Sequence, residues 1–148
     1  KWFEISAFPY FYSVGSSCVT WSFDHLENGT LSLMTFQHRL GVDEYSSAKC
    51  ELVRPGVFLV SYPYSVIPRA DSDYYVIGTD YENYAVLFSC SNTFFFKAQN
   101  AWILSRKSVL EENLLEEAKS YLKAEGISTS FLVSTTQTCG ASAILASP

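Results

Sequence analysis

Four cysteines, two histidines and one glycosylation sequon are the residues of this chain most able to do chemistry. Cys18, Cys50, Cys90 and Cys139 are spread over 148 residues, with no C-x-x-C and no Cys/His cluster at metal-ligand spacing. That spacing excludes the common zinc sites, so no metal is expected. It leaves buried free thiols or disulfides made in an oxidising compartment. Asn28-Gly29-Thr30 is a sequon, and Asn28 can be glycosylated only on the secretory route. Together the cysteines and the sequon favour a secreted, extracellular protein. His25 lies beside a turn and His38 near a strand end, and neither has a Ser or Cys at motif spacing for which it could act as base. No catalytic set is legible, and the chemistry points to binding rather than turnover.

Composition points the same way. Apolar residues make up 48%, aromatics 16% and charged residues 17%, with ten Tyr, eleven Phe and three Trp. That many rings exceed what one small core uses and suit a wall around a ligand. A net charge of −5 without a Lys/Arg run argues against nucleic acid and against an electrostatically held membrane surface. No apolar run approaches the roughly 20 residues of a transmembrane helix. The length suits one domain. The opening at Lys1-Trp2, already inside a strand pattern, implies that upstream residues are missing.

The elements that must position these residues are mostly strands. Residues 74–79 and 84–90 are apolar on nearly every position and fold back on each other across Asp80-Tyr81-Glu82-Asn83. A sheet with one wet face would alternate, so both faces of this pair need covering. Before it, strands are expected at 2–8, 18–23 and 31–37, the last two joined by the hairpin turn at Asn28-Gly29, and then at 48–53 and 57–62 around Pro55-Gly56. Residues 41–47 and 64–72 read as loops, and a further strand is expected near 99–106. A helix over 109–125 follows, with Leu110, Leu114, Ala118, Tyr121 and Leu122 on one face. Its start is a capping-box pattern, Ser108 to Glu111, and Gly126 is its natural stop. A short strand then closes the region 127–135, and 140–148 is a tail of small residues.

Eight hairpin-connected strands followed by one helix is the order of an all-β, eight-stranded up-and-down antiparallel barrel with the helix packed outside. Closure gives each strand one face on the lumen and one on the helix, a loop or a partner. Short connections between successive strands count against a sandwich.

Three stretches then resemble the lipocalins. Lys1-Trp2-Phe3-Glu4-Ile5 is similar to that family's first motif, Thr79-Asp80-Tyr81-Glu82-Asn83-Tyr84 to its second, and Ala101-Trp102-Ile103-Leu104-Ser105-Arg106 to its third. The resemblance covers almost the whole chain and is nearest to the apolipoprotein D-like branch, which includes insect bilin-binding proteins. It implies that the motifs meet at the closed end of the barrel, with Trp2 plugging the floor, Arg106 over its indole and Asp80 fixing the adjacent turn. It implies a Cys18–Cys139 disulfide, and a partner for Cys90 in an N-terminal arm that lies upstream of Lys1. Cys50 is then left free, to crosslink or to touch a ligand; without the arm, Cys50–Cys90 is the remaining pair.

Alternation places the ligand wall. Trp102 and Leu104 share a face with Arg106; Val19, Trp21 and Phe23 form the apolar face of their strand, with Leu31, Leu33 and Thr35 opposite. Phe58, Val60 and Tyr62, and then Tyr75 and Ile77, complete the inward set. A one-residue slip would invert any of these. The expected function is binding, transport or sequestration of a small hydrophobic ligand. Biliverdin is the first choice as a chromophore cofactor, ahead of fatty acids, sterols, retinoids and carotenoids. An isomerase using Cys50 in the lumen is the alternative from another class. A third is an interaction protein, forming a homo-oligomer through an aromatic open rim of Tyr10-Phe11-Tyr12 and Phe94-Phe95-Phe96.

Overall fold

The computed structural model describes residues 1–10, 13–63, 71–92 and 97–139. In chain order these form β1 Trp2–Ala7, β2 Ser16–His25, β3 Leu31–Arg39, β4 Val42–Arg54, β5 Val57–Ser61, β6 Ser72–Thr79, β7 Tyr84–Asn92 and β8 Lys97–Ser105. Helix α1 Glu112–Ala124, a 3-10 turn Thr129–Phe131 and a two-residue strand β9 Val133–Ser134 follow. Strands β2 to β8 pair in succession, β8 pairs with β1, and β1 returns to β2 through Trp2–Trp21 and Phe3–Thr20. The result is a closed eight-stranded up-and-down antiparallel barrel with one helix outside it.

Of residues 41–47, expected as loop, Gly41 lies in the turn and 42–47 are instead the first half of β4. The β3–β4 register runs unbroken from Leu31–Cys50 to Arg39–Val42. Here polar residues alternate with one another near an end of the barrel, where both faces can meet water, so the apolar period that marks a strand fades.

Two apolar clusters lie on opposite sides of the wall. The inner one contains Trp21, Leu33, Cys50, Val60, Leu87 and Leu104. The outer one contains Tyr84, Val86, Ile103, Ala118 and Leu122, and joins the sheet to α1. This explains why residues 74–90 read as apolar throughout: one parity faces the lumen and the other faces the helix.

Helix α1 starts at Glu112, later than the capping box implies, and Glu111 occupies the cap without a side-chain bond. Leu110 and Leu115, the residues just before the cap and in the first turn, both pack on the outer cluster. That is the placement of a hydrophobic staple, and it holds residues 108–111 outside the helix. At the other end Gly126 takes φ +73°, and Ile127 N–H donates to Leu122 O at 2.9 Å, closing the helix in a Schellman turn.

The segment after the helix acts as a strap. β1 and β2 share only two register pairs, and residues 133–139 fill the seam beyond them. Thr135 N–H donates to Ile5 O (2.9 Å), Cys18 N–H donates to Thr136 O (2.8 Å), and the Gln137 amide donates to both Glu4 O and Val19 O (2.8 Å each). The Cys18–Cys139 disulfide pins it. Cys18 itself stands at φ +58°, in the left-handed region, within the irregularity of β2 between Ser17 and Thr20.

Candidate functional site: the barrel lumen

The lumen is lined by side chains of alternate residues on the eight wall strands. Its middle is a group of rings. Trp21 meets Trp102 edge to face (centroids 5.3 Å apart), Tyr74 stacks on Trp102 (5.0 Å, 23° between planes), and Phe23 and Tyr74 each lie 6.4 Å from Trp21. The hydroxyls of Tyr62 and Tyr74 are 3.2 Å apart, a polar pair among the rings. Such a set can hold a flat apolar molecule by stacking and meet one of its polar atoms.

The residues expected inward divide on one strand. Trp21, Leu33, Val60 and Leu104 are buried in the inner cluster, and Val19 with them; Phe23, Leu31, Tyr62 and Trp102 pack against it half-buried. Thr35 stands opposite Trp21, and Phe58 opposite Tyr74, so both share the inward parity. Tyr75 and Ile77 do not. Tyr74 and Val76 face the lumen in their place, Tyr75 pairs with Val57 and Phe88 on the outer side, and Ile77 packs in the helix-facing cluster. The apolar outer face of β6 hides the parity, and the register breaks between Val76 and Gly78, where Ile77 is the extra residue.

At the floor the Arg106 guanidinium lies 3.6 Å from the centroid of Trp2, a cation–π contact worth about 0.5–2 kcal/mol. Asp80 organises the neighbouring turn. Its Oδ1 accepts from the Glu82, Asn83 and Tyr84 amides (3.1, 2.7 and 3.0 Å) and its Oδ2 from the Asn83 side chain (2.7 Å). Desolvation pushes this carboxyl up, but the donated bonds outweigh it and hold it at about 2. Arg106 N–H donates to Asn83 O at 2.9 Å, tying the turn to the end of β8.

Two groups in this wall bear on its chemistry. Cys50 is 2% exposed in the inner cluster and has no disulfide partner, and burial pushes its thiol up to about 11. Cys90 is also free and lies on the opposite face of β7 from Leu87, so a Cys50–Cys90 bridge is not formed. Glu4 escaped notice as a site residue, although it shares parity with Trp2 and stands opposite Leu104. It is 6% exposed; Trp21 Nε1 donates to one carboxylate oxygen (3.3 Å) and Thr135 Oγ1 to the other (2.8 Å). Burial raises its pKa, and the two hydrogen bonds offset this only in part. The folded state therefore holds the Glu4 proton more tightly than the unfolded chain, and this group's contribution to stability falls as pH rises above the ordinary carboxylate range. Glu4→Gln keeps an acceptor for Trp21 and can donate to the Thr135 hydroxyl. Urea unfolding of both proteins at pH 4 and pH 8 is expected to show the variant gaining on the wild type at the higher pH; a variant that instead loses ground to the wild type between pH 4 and pH 8 would reverse the sign.

Asn28 is exposed in the β2–β3 turn. Among the described residues no group of three or more His, Cys, Asp or Glu could hold a metal ion, and no helix is long and apolar enough to cross a membrane. Of the aromatic rim, Tyr10 is described and exposed; Phe11, Tyr12 and Phe94-Phe95-Phe96 lie outside the described residues.

The model of the lipocalin / cytosolic fatty-acid binding protein family matches residues 1–138. The chain belongs to that family. Among proteins of similar sequence, apolipoprotein D of Oryctolagus cuniculus is 28% identical over 132 residues, 86% of this chain and 68% of its own length. Apolipoprotein D of Bos taurus is 28% identical over 142 residues, covering 93% and 73%. Among solved structures, insecticyanin from the tobacco hornworm Manduca sexta superposes with a TM-score of 0.78 at 24% identity, covering 96% of this chain and 78% of that one. Lobster apocrustacyanin A1 gives 0.78 at 21% identity, covering 95% and 77%. These likenesses agree with the barrel, the outer helix and the apolipoprotein D-like branch. Lipocalins bind small hydrophobic ligands, and that coarse function extends to this chain.

Proposed function

We propose that this lipocalin binds a flat, hydrophobic small molecule in its barrel lumen and carries or sequesters it outside the cell. The observation that carries the reading is the ring group of Trp21, Tyr74 and Trp102 on the inner wall. A protein needing only a core gains little from two indoles meeting a phenol there, whereas a conjugated guest gains stacking surface on each ring. Secretion is supported by the Cys18–Cys139 disulfide and by the exposed sequon at Asn28. A chromophore such as biliverdin is supported by the resemblance to the bilin-binding branch, with retinoids, carotenoids, sterols and fatty acids as the other guests to try.

The absorption spectrum of natively purified protein tests the chromophore, since a colourless sample sinks it. Binding itself is read by quenching of Trp fluorescence. Trp102→Ala is expected to weaken affinity about tenfold, the loss of one stacked ring. Unchanged affinity would place the guest elsewhere. An isomerase acting through Cys50 is opposed by the elevated pKa of that thiol: at about 11, roughly one molecule in ten thousand is thiolate at neutral pH. Turnover that disappears on blocking Cys50 would restore that reading.

A further inference from the structure

The wall formed by β6 to β8 changes character partway up. Nearest the floor, Ala85 stands opposite Leu104, and above them Leu87 stands opposite Trp102, all in or against the inner apolar cluster. The next inward rung is Tyr74, Ser89 and Asn100, each directly opposite its neighbour on the adjoining strand. Ser89 and Asn100 face inward by alternation with Leu87 and Trp102, and the β7–β8 register has no shift. Ser89 is 2% exposed. Among the described residues, neither its hydroxyl nor the Asn100 carboxamide has a hydrogen-bond partner. A hydroxyl buried to that degree and left unpaired is destabilising, and native folds keep few of them. Alanine would serve a plain core better.

We infer that Ser89 and Asn100 form a polar subsite that takes one carbonyl oxygen, of a ketone or lactam, on the edge of a flat guest. This rests on the lumen reading proposed above and deepens it by fixing the guest's orientation. Side chains directly opposite on paired strands have Cβ atoms about 5 Å apart, so both can reach one atom between them. A carbonyl oxygen offers two lone pairs near the plane of its ring. It accepts from the Ser89 hydroxyl on one and from an Asn100 N–H on the other. It also brings no donor of its own for the apolar wall to leave unpaired. The body of the guest then lies below the rung, against Leu87 and Trp102.

The test uses fluorenone and fluorene, flat tricycles of nearly the same outline that differ in one carbonyl. Affinities for both are measured by equilibrium dialysis with wild type, Ser89→Ala, Asn100→Leu and the double variant. The readout is the ratio of ketone to hydrocarbon affinity. It is expected to fall about fourfold in each single variant and about tenfold in the double, the scale of one and two net hydrogen bonds. The carbonyl stretch of bound fluorenone should lie at lower frequency in wild type than in the double variant. Ser89→Ala should also raise the urea midpoint of the empty protein, because it removes a buried hydroxyl that lacks a partner. A midpoint that falls would mean that the hydroxyl serves the fold, and overturns the subsite. A ratio or a stretch that does not move in the variants also overturns it and leaves lumen binding intact. Failure of both molecules to bind wild type overturns the lumen reading, and the subsite with it. Should Asn100→Leu not fold, Ser89→Ala decides alone.

Discussion

Replacing Cys18 and Cys139 with serine is expected to lower the free energy of unfolding by about 3–5 kcal/mol, among the largest losses any pair of side chains here can produce. The bridge joins residues 121 apart, so in the chain-entropy view it removes a long loop's freedom from the unfolded state. It also holds the strap in the seam where β1 and β2 have only two pairs of their own. The backbone of residue 18 adds to the effect. Its φ of +58° is costly for any side chain, and the disulfide and the Thr136 bond hold it there. Glycine tolerates that angle, so Cys18→Gly with Cys139→Ser should recover part of the loss relative to the double serine variant. Urea midpoints of the three proteins check this. A double serine variant within about 1 kcal/mol of the wild type would mean that the strap's hydrogen bonds suffice without the bridge.

Gly78→Ala is expected to cost about 2–3 kcal/mol, and Gly78→Val more. The reason is close approach rather than backbone freedom. A Cβ at this position would stand 2.7 Å from Cδ1 of Tyr121 and nearer still to Cγ and Cδ2, at the root of the ring where it cannot swing away. Tyr121 packs in the outer cluster beside Tyr84, whose hydroxyl donates to Glu117 Oε1 at 2.7 Å. Lifting the ring would therefore loosen helix from sheet. Tyr121→Ala alone should cost about 3 kcal/mol by emptying that space. The double variant Gly78→Ala/Tyr121→Ala should cost clearly less than the sum, because the alanine at 78 then meets a void. Additive costs in this double-mutant cycle would show that the two positions are independent.

The barrel was legible because its signals are local. The turn at residues 80–83, the hairpin turn at Asn28-Gly29 and the helical period after Leu110 each depend on a few adjacent residues. Most of the ring set was legible for a similar reason: Trp21, Phe23, Leu33 and Trp102 follow clean alternation. Tyr74 and Val76 were exchanged for Tyr75 and Ile77 because α1 buries the other face of β6, which removes the polar residues that mark parity. Residues 42–47 of β4 were lost for the opposite reason, with polar residues on both faces. Glu4 was hidden because its burial depends on Thr135, 131 residues later in the chain. No local pattern announces a carboxylate sealed by a segment that distant.

The strap at residues 133–139 also sets an order of events during folding. β1 is the first of the eight wall strands in chain order, and the residues that cover its seam with β2 follow every wall strand and α1. Until they emerge, the Glu4 and Val19 carbonyls that receive Gln137, and the Cys18 amide that meets Thr136, have no strap partner. Beyond the two pairs that β1 and β2 share, the seam then presents unprotected strand edges, the state in which strands recruit neighbouring chains. Contacts of such sequence separation are slow to form. Oxidation of Cys18 with Cys139 can only follow, so the bridge records that the strap has arrived and the barrel is shut.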